Sequence, residues 1–161
     1  MTTVEYNNCV ENNADGVFRF ILKISNDEEK AKDVVQDSFE KMWVKKEDID
    51  ATKAKSYLYT TAYRTMIDMI RKDKKQEKMD EFSYNKHSYE DSYLGLKEVI
   101  DVAVAKLPEI QKTVVLLRDY EGYSYEEIGE ITNLKESQVK VYIFRARKFL
   151  KDFIGSLDKV V

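Results

Sequence analysis

The chain has 161 residues, of which 27 are basic and 30 acidic, giving a formal net charge of −3 at pH 7. Hydrophobic residues make up 43% and charged residues 35%, a mixture that can bury a core and excludes compositional disorder. Only five Gly and one Pro are present, too few for a turn-rich sandwich or barrel, so one ordinary or two small all-helical domains are expected.

A single Cys, Cys9, leaves no internal disulfide and no Cys-based zinc site, in keeping with a reducing cytosol. No apolar run approaches the ~18 residues of a membrane span. The opening stretch MTTVEYNNCVENN lacks the basic start and apolar core of a secretory signal. A soluble, cytoplasmic product without membrane insertion is expected.

From Tyr6 to Ile24, Val10, Val17, Phe18, Ile21 and Leu22 recur at helical spacing. Ser25-Asn26-Asp27 then offers a cap, with Glu28 and Glu29 in a favourable first turn. The second predicted helix runs to about Lys46, with Val35, Phe39, Met42 and Trp43 on one stripe. Asp33, Gln36, Asp37 and Glu40 stand three or four apart on another face. After a polar stretch, Lys46 to Lys55, a third helix carries Leu58, Ala62, Met66, Met69 and Ile70 inward and ends in the basic run RKDKKQEK.

Between Gln76 and Tyr93 the aliphatic residues vanish apart from Met79. This reads as a flexible linker with a contour near 60 Å. Its aromatic residues, Phe82, Tyr84, Tyr89 and Tyr93, are unusual for an inert spacer. The domains expected are therefore 5–75 and 94–155, joined by 76–93.

In the second domain, Leu94 to Lys106 predicts one helix. Pro108 suits the first position of the next, which should stop at Gly122. Ser124-Tyr125-Glu126-Glu127 is a capping box opening a short helix, Thr132-Asn133-Leu134 a tight turn, and Lys135 to Phe153 the last helix. These are helix-turn-helix proportions. Val139, Ile143, Ala146 and Leu150 form an inner seam on the last helix, while Lys140, Phe144, Arg147 and Lys151 lie opposite. Residues 135–151 hold six basic side chains against one acidic, and residues 109–130 two against six. A basic helix offered to an anion beside acidic elements points to duplex DNA. Ser137, Gln138, Lys140 and Val141 are placed to read base edges, and Arg145, Arg147 and Lys148 to hold phosphate.

The segment LPEIQKTVVLLRDYEGYSYEEIGEITNLKESQVKVYIFRARKFL resembles the C-terminal domain of extracytoplasmic-function (ECF) sigma factors of bacterial RNA polymerase. DVVQDSFEKMW and YLYTTAYRTMIDMIRK look like two successive helices of that family's N-terminal domain. The resemblance implies a factor that directs core RNA polymerase to promoter DNA as a monomer in holoenzyme, with an anti-sigma factor as a further partner. It implies that Ser137, Gln138, Lys140, Val141, Phe144, Arg145, Arg147 and Lys148 bind the minus-thirty-five element. It implies that Asp33, Gln36, Asp37 and Glu40 bind polymerase. For the minus-ten element it implies Lys53, Lys55, Tyr57 and Tyr59, with Arg64, Arg71 and Lys72 along the backbone. Many family members have Asn where this chain has Arg64, which puts base capture there in doubt.

No catalytic constellation is present. The only His, His87, lies in the linker, and there is no P-loop or Gly-rich phosphate cradle. Neither enzyme activity, cofactor nor metal is expected. Two other readings fit the residues: a helix-turn-helix regulator whose N-terminal half binds a ligand or dimerises, and a helical adaptor that binds only protein.

Overall fold

Local chemistry starts and stops the helices. In the computed structural model, which describes residues 1–77 and 95–158, Thr2 opens α1 (Thr3–Ser25) with a capping box. Its hydroxyl accepts from the Glu5 amide at 3.1 Å, and the Glu5 carboxylate accepts from the Thr2 amide at 3.0 Å. Asn26, left-handed at φ 54°, ends the helix and returns its amide to the Leu22 carbonyl at 2.8 Å. Asp27 caps α2 (Glu28–Lys45) by accepting from the Lys30 amide at 3.1 Å. Two 3₁₀ turns, Lys46–Asp48 and Ala51–Lys53, cross the polar stretch and lead into α3 (Ala54–Glu77).

The buried line of α2 is turned from the expected one. Val34, Val35, Ser38 and Met42 are buried, Phe39 is half-buried, and Trp43 is 45% exposed. A serine can hold a core position here because its hydroxyl donates to the Val34 carbonyl at 2.6 Å, leaving no unpaired polar group. Trp43 instead meets Tyr6 edge to face at 4.9 Å, with the Lys46 ammonium 3.7 Å from its ring centre. Leu58, Ala62 and Met66 of α3 face inward as the periodicity indicates, together with Tyr59 and Thr65. An ion pair between Lys30 and Asp73 fastens the start of α2 to the far part of α3.

The C-terminal half comprises α4 (Leu96–Ala105), α5 (Glu109–Val115), α6 (Tyr125–Thr132) and α7 (Glu136–Asp158). Pro108 is the cap residue of α5 and not its first helical residue. The helix expected to run straight to Glu121 widens into a π turn over Leu116–Tyr120. Its signature bond runs from the Glu121 amide to the Leu116 carbonyl at 3.1 Å. Both Leu116 and Leu117 are thereby buried, while Asp119 and Tyr120 face outward before Gly122 turns the chain at φ 75°.

Among the described residues there is no strand, and no helix is long and apolar enough to cross a membrane. The linker aromatics and His87 lie outside the described residues; of the expected linker, Gln76 and Glu77 continue α3. The two halves do not stand apart. α1 packs on α5 and α3 on α6, and most buried side chains of both halves join in one apolar cluster, with Leu107, Val115 and Ala146 in a second, smaller one.

Candidate nucleic-acid interface

Local bonds fix both ends of α6 and the turn into α7. Ser124 and Glu127 make the predicted reciprocal box, each amide bonded to the other's side chain at 3.1 Å. Asn133 is left-handed at φ 59°, and the Leu134 amide reaches back to the Gly129 carbonyl at 3.0 Å. Gly129 allows that approach, since a Cβ there would stand 2.7 Å from the Leu134 carbonyl oxygen. Gly129→Ala is expected to lose about 1–2 kcal/mol net, the clash with backbone outweighing the ~1 kcal/mol gain in helix propensity. Thermal unfolding would register it.

Val139, Ile143 and Ala146 are buried beneath α7, and Leu150 is half-buried. All eight residues expected at the minus-thirty-five element are exposed on the same helix: Ser137, Gln138, Lys140, Val141, Phe144, Arg145, Arg147 and Lys148. Val141 and Phe144 are 46% and 69% exposed, apolar side chains left in water on the outer face of a helix-turn-helix. Beside Phe144 runs an open groove of about 590 Å³, with Ile143 and Tyr125 in its wall and Lys140, Arg147 and Lys151 on its rim. An apolar floor with a cationic edge suits thymine methyls flanked by phosphates.

The exposed cations are not equivalent. Arg147 forms a two-pronged pair with Asp119, Nη2 to Oδ1 at 2.6 Å and Nε to Oδ2 at 3.2 Å, and this bonding raises its pKa further. Lys140 pairs with Glu136 at 3.5 Å. Arg145 and Lys148 have no ion-pair partner among the described residues. Gln138 carries a structural duty as well: its Oε1 accepts from the Lys135 amide at 3.0 Å and caps α7, which has no Ser, Thr, Asp or Asn at that position. A two-bond contact with adenine would require Gln138 to release the cap.

In the N-terminal half, Asp33, Gln36, Asp37 and Glu40 are exposed along one face of α2, with Gln36 donating to Glu40 at 3.3 Å. Lys53, Lys55, Arg64, Arg71 and Lys72 are exposed on and before α3, and Tyr57 is half-buried. Tyr59 is a correction to the aromatic surface expected there. It is 1% exposed, and its hydroxyl donates to Glu121 of the other half at 2.8 Å. Burial, followed by that bond and the charge of Glu121, pushes its pKa far above the ordinary tyrosine range. Sequence reasoning had no access to this pair, whose members lie 62 residues apart. The same holds for Asp119, paired with Arg147 across 28 residues. The Gln138 cap, by contrast, was open to discovery from its three-residue spacing.

Family comparison decides what this geometry serves. The family model for sigma-70 region 2 matches residues 9–76, and that for sigma-70 region 4 matches residues 97–150. The RNA polymerase sigma factor SigV of Bacillus subtilis is 31% identical over 148 residues, covering 89% of this chain and 87% of that protein. The chain belongs to the ECF sigma factors of bacterial RNA polymerase. The ECF sigma factor SigM of B. subtilis is 28% identical over 84% of this sigma factor and 86% of its own length. In fold, the sigma factor matches RpoE from Bartonella quintana, solved with the anti-sigma factor NepR, at a TM-score of 0.79 and 22% identity. That match covers 93% of this chain and 96% of RpoE. It also matches CnrH, solved with the cytosolic domain of CnrY, at a TM-score of 0.67 and 19% identity. Region 4 of the sigma factor therefore contains the exposed basic helix α7, and region 2 contains the acidic face of α2 and the cationic face of α3. The helix-turn-helix regulator with a ligand-binding or dimerising N-terminal half is not favoured, since that half is sigma region 2.

Proposed function

We propose that this sigma factor divides promoter recognition and polymerase binding among three faces. The outer face of α7 reads the minus-thirty-five element: Ser137, Lys140, Val141 and Phe144 meet base edges, with Gln138 when its cap opens. Arg145, Lys148 and Arg147 hold phosphates. The Asp33–Gln36–Asp37–Glu40 face of α2 seats on core polymerase. Lys53, Lys55 and Tyr57, with Arg64, Arg71 and Lys72, follow the minus-ten strand. Arg64 replaces the family's usual Asn and offers charge to phosphate in place of an amide for a flipped base. The domains proposed are 5–75 and 94–155, joined by 76–93.

The single observation carrying this reading is the exposure of Val141 and Phe144 among cations on the helix that follows the capped turn. Other apolar side chains are exposed singly, as at Val44 and Leu96; here two lie together among cations on the outer face of a helix-turn-helix. Because RpoE was solved with an anti-sigma factor, an anti-sigma partner is proposed here too. The factor acts in the cytoplasm, as a monomer within holoenzyme, without catalysing a reaction of its own.

Adding the purified chain to bacterial core polymerase should start transcripts at a cognate promoter that core alone ignores. Run-off transcription from a library of fragments of the source genome reads the result. A library with no factor-dependent start would overturn the proposal.

A further inference from the structure

Residues 135–151 hold six basic side chains and a single acid, Glu136, on a helix whose outer face is offered to a polyanion. Glu136 is exposed at the first position of α7, where a carboxylate suits the helix dipole. The dipole alone does not account for what it holds. Glu136 Oε1 lies 3.5 Å from the Lys140 ammonium one turn on, and more than half of each side chain is exposed. Lys140 is also placed from its other side, 5.7 Å from the centre of the Tyr125 ring of α6. An ammonium and a carboxylate are thus fixed side by side at the end of the helix whose residues meet base edges.

Gln138 spends its side-chain oxygen on the Lys135 amide at 3.0 Å, which leaves Glu136 as the strong acceptor of the first turn. A carboxylate near DNA phosphates is repelled until it finds a donor. In the major groove the donors are the amino groups of cytosine and adenine. Within a guanine–cytosine pair, the guanine O6 acceptor and the cytosine N4 donor stand about 2.9 Å apart, being hydrogen-bonded to each other. A lysine and a glutamate 3.5 Å apart are the complement of that edge, ammonium to O6 and carboxylate to N4. Cytosine–guanine and adenine–thymine present the reverse order and set donor against donor. Thymine–adenine has the right order, but thymine lacks the N7 that gives the ammonium a second acceptor on guanine.

We infer that Glu136 and Lys140 act as one reader that specifies a guanine–cytosine pair within the minus-thirty-five element, with Glu136 as a specificity-determining residue. Their target rests on the reading of α7 proposed above; the coupling of the two side chains is a property of the helix itself. Glu136 contributes chiefly by rejection, since its charge penalises every register that sets it against a keto oxygen.

The test uses holoenzyme assembled from core polymerase and the full chain, bound to a duplex library with a randomised minus-thirty-five element, and the bound fraction is sequenced. The parent chain should enrich guanine–cytosine at one position of the element. Glu136→Ala should cut discrimination there about fivefold or more, the scale of one base contact. Other positions should stay unchanged, and average affinity for the library should hold or rise. Glu136→Gln should move the favoured partner base from cytosine to adenine, because an amide pairs with adenine N6 and N7. Lys140→Ala should alter the same position. Thermal unfolding checks each fold, and if one Glu136 variant fails to fold the other is read. Change at no position, or equal loss at every position as a helix-start role alone would give, would overturn the reader. So would separate positions for Glu136 and Lys140. A parent holoenzyme that enriches no sequence would instead strike the reading of α7, and the reader with it.

Discussion

Replacing Arg145 and Lys148 together by alanine should weaken holoenzyme binding to a minus-thirty-five duplex by about tenfold to a hundredfold at moderate salt. The plot of log affinity against log salt should flatten by about 1.8, the share of two phosphate contacts. These two cations are the informative choice because both are exposed and neither has an ion-pair partner among the described residues. Removing them leaves nothing stranded, so the melting temperature should stay within the scatter of ordinary surface substitutions. Arg147→Ala makes the contrast. It also loses DNA affinity, yet it strips Asp119 of a two-pronged partner that ties α7 to the end of the α5 segment. A modest loss of stability should accompany it, reduced by the exposure of the pair. Fluorescence anisotropy over a salt series, with thermal unfolding of each variant, separates the cases. An unchanged salt slope for the double variant would remove Arg145 and Lys148 from the phosphate contacts.

Much of this architecture was written locally in the sequence. The capping box at Ser124, the stop at Gly122 and the tight turn over Thr132-Asn133-Leu134 each depend on residues within four positions, and each stands where the pattern placed it. So does the division of α7 into a buried seam and a basic outer face, since helical period alone fixes which side chains share a side. What escaped was nonlocal or degenerate. The π turn at Leu116–Tyr120 has no strong sequence signature, because one extra residue per turn leaves the apolar run looking helical. Trp43 reads as core by type, but burial of Ser38 in its place depended on a backbone carbonyl that no composition rule names. Tyr59 reads as an accessible aromatic beside lysines, and only the approach of Glu121 and Tyr123 from the other half buries it. Exposure of a tyrosine is decided by what packs on it, and that is the information a single helix lacks.

Charge reversal at Asp37 should produce the largest separation between the two activities of the chain. Asp37→Arg is expected to reduce affinity for core polymerase by about a hundredfold, the effect of like charge placed within an interface that had been complementary. The fold has little stake in the position. Asp37 is exposed in the middle of α2, its neighbours Val34, Val35, Ser38 and Met42 hold the opposite side in the core, and helicity does not depend on an acidic residue there. Promoter duplex binding by the C-terminal half is likewise remote from it. Glu47→Arg provides the control: it makes the same change of charge at an exposed residue of the 3₁₀ turn, off the α2 face. If affinity followed net charge alone, both variants would lose core binding equally, and the α2 face would have no special standing. A loss confined to Asp37→Arg, measured by competition for core polymerase at fixed ionic strength, would instead locate the contact on that face, because long-range effects of the two substitutions are the same and only the site differs.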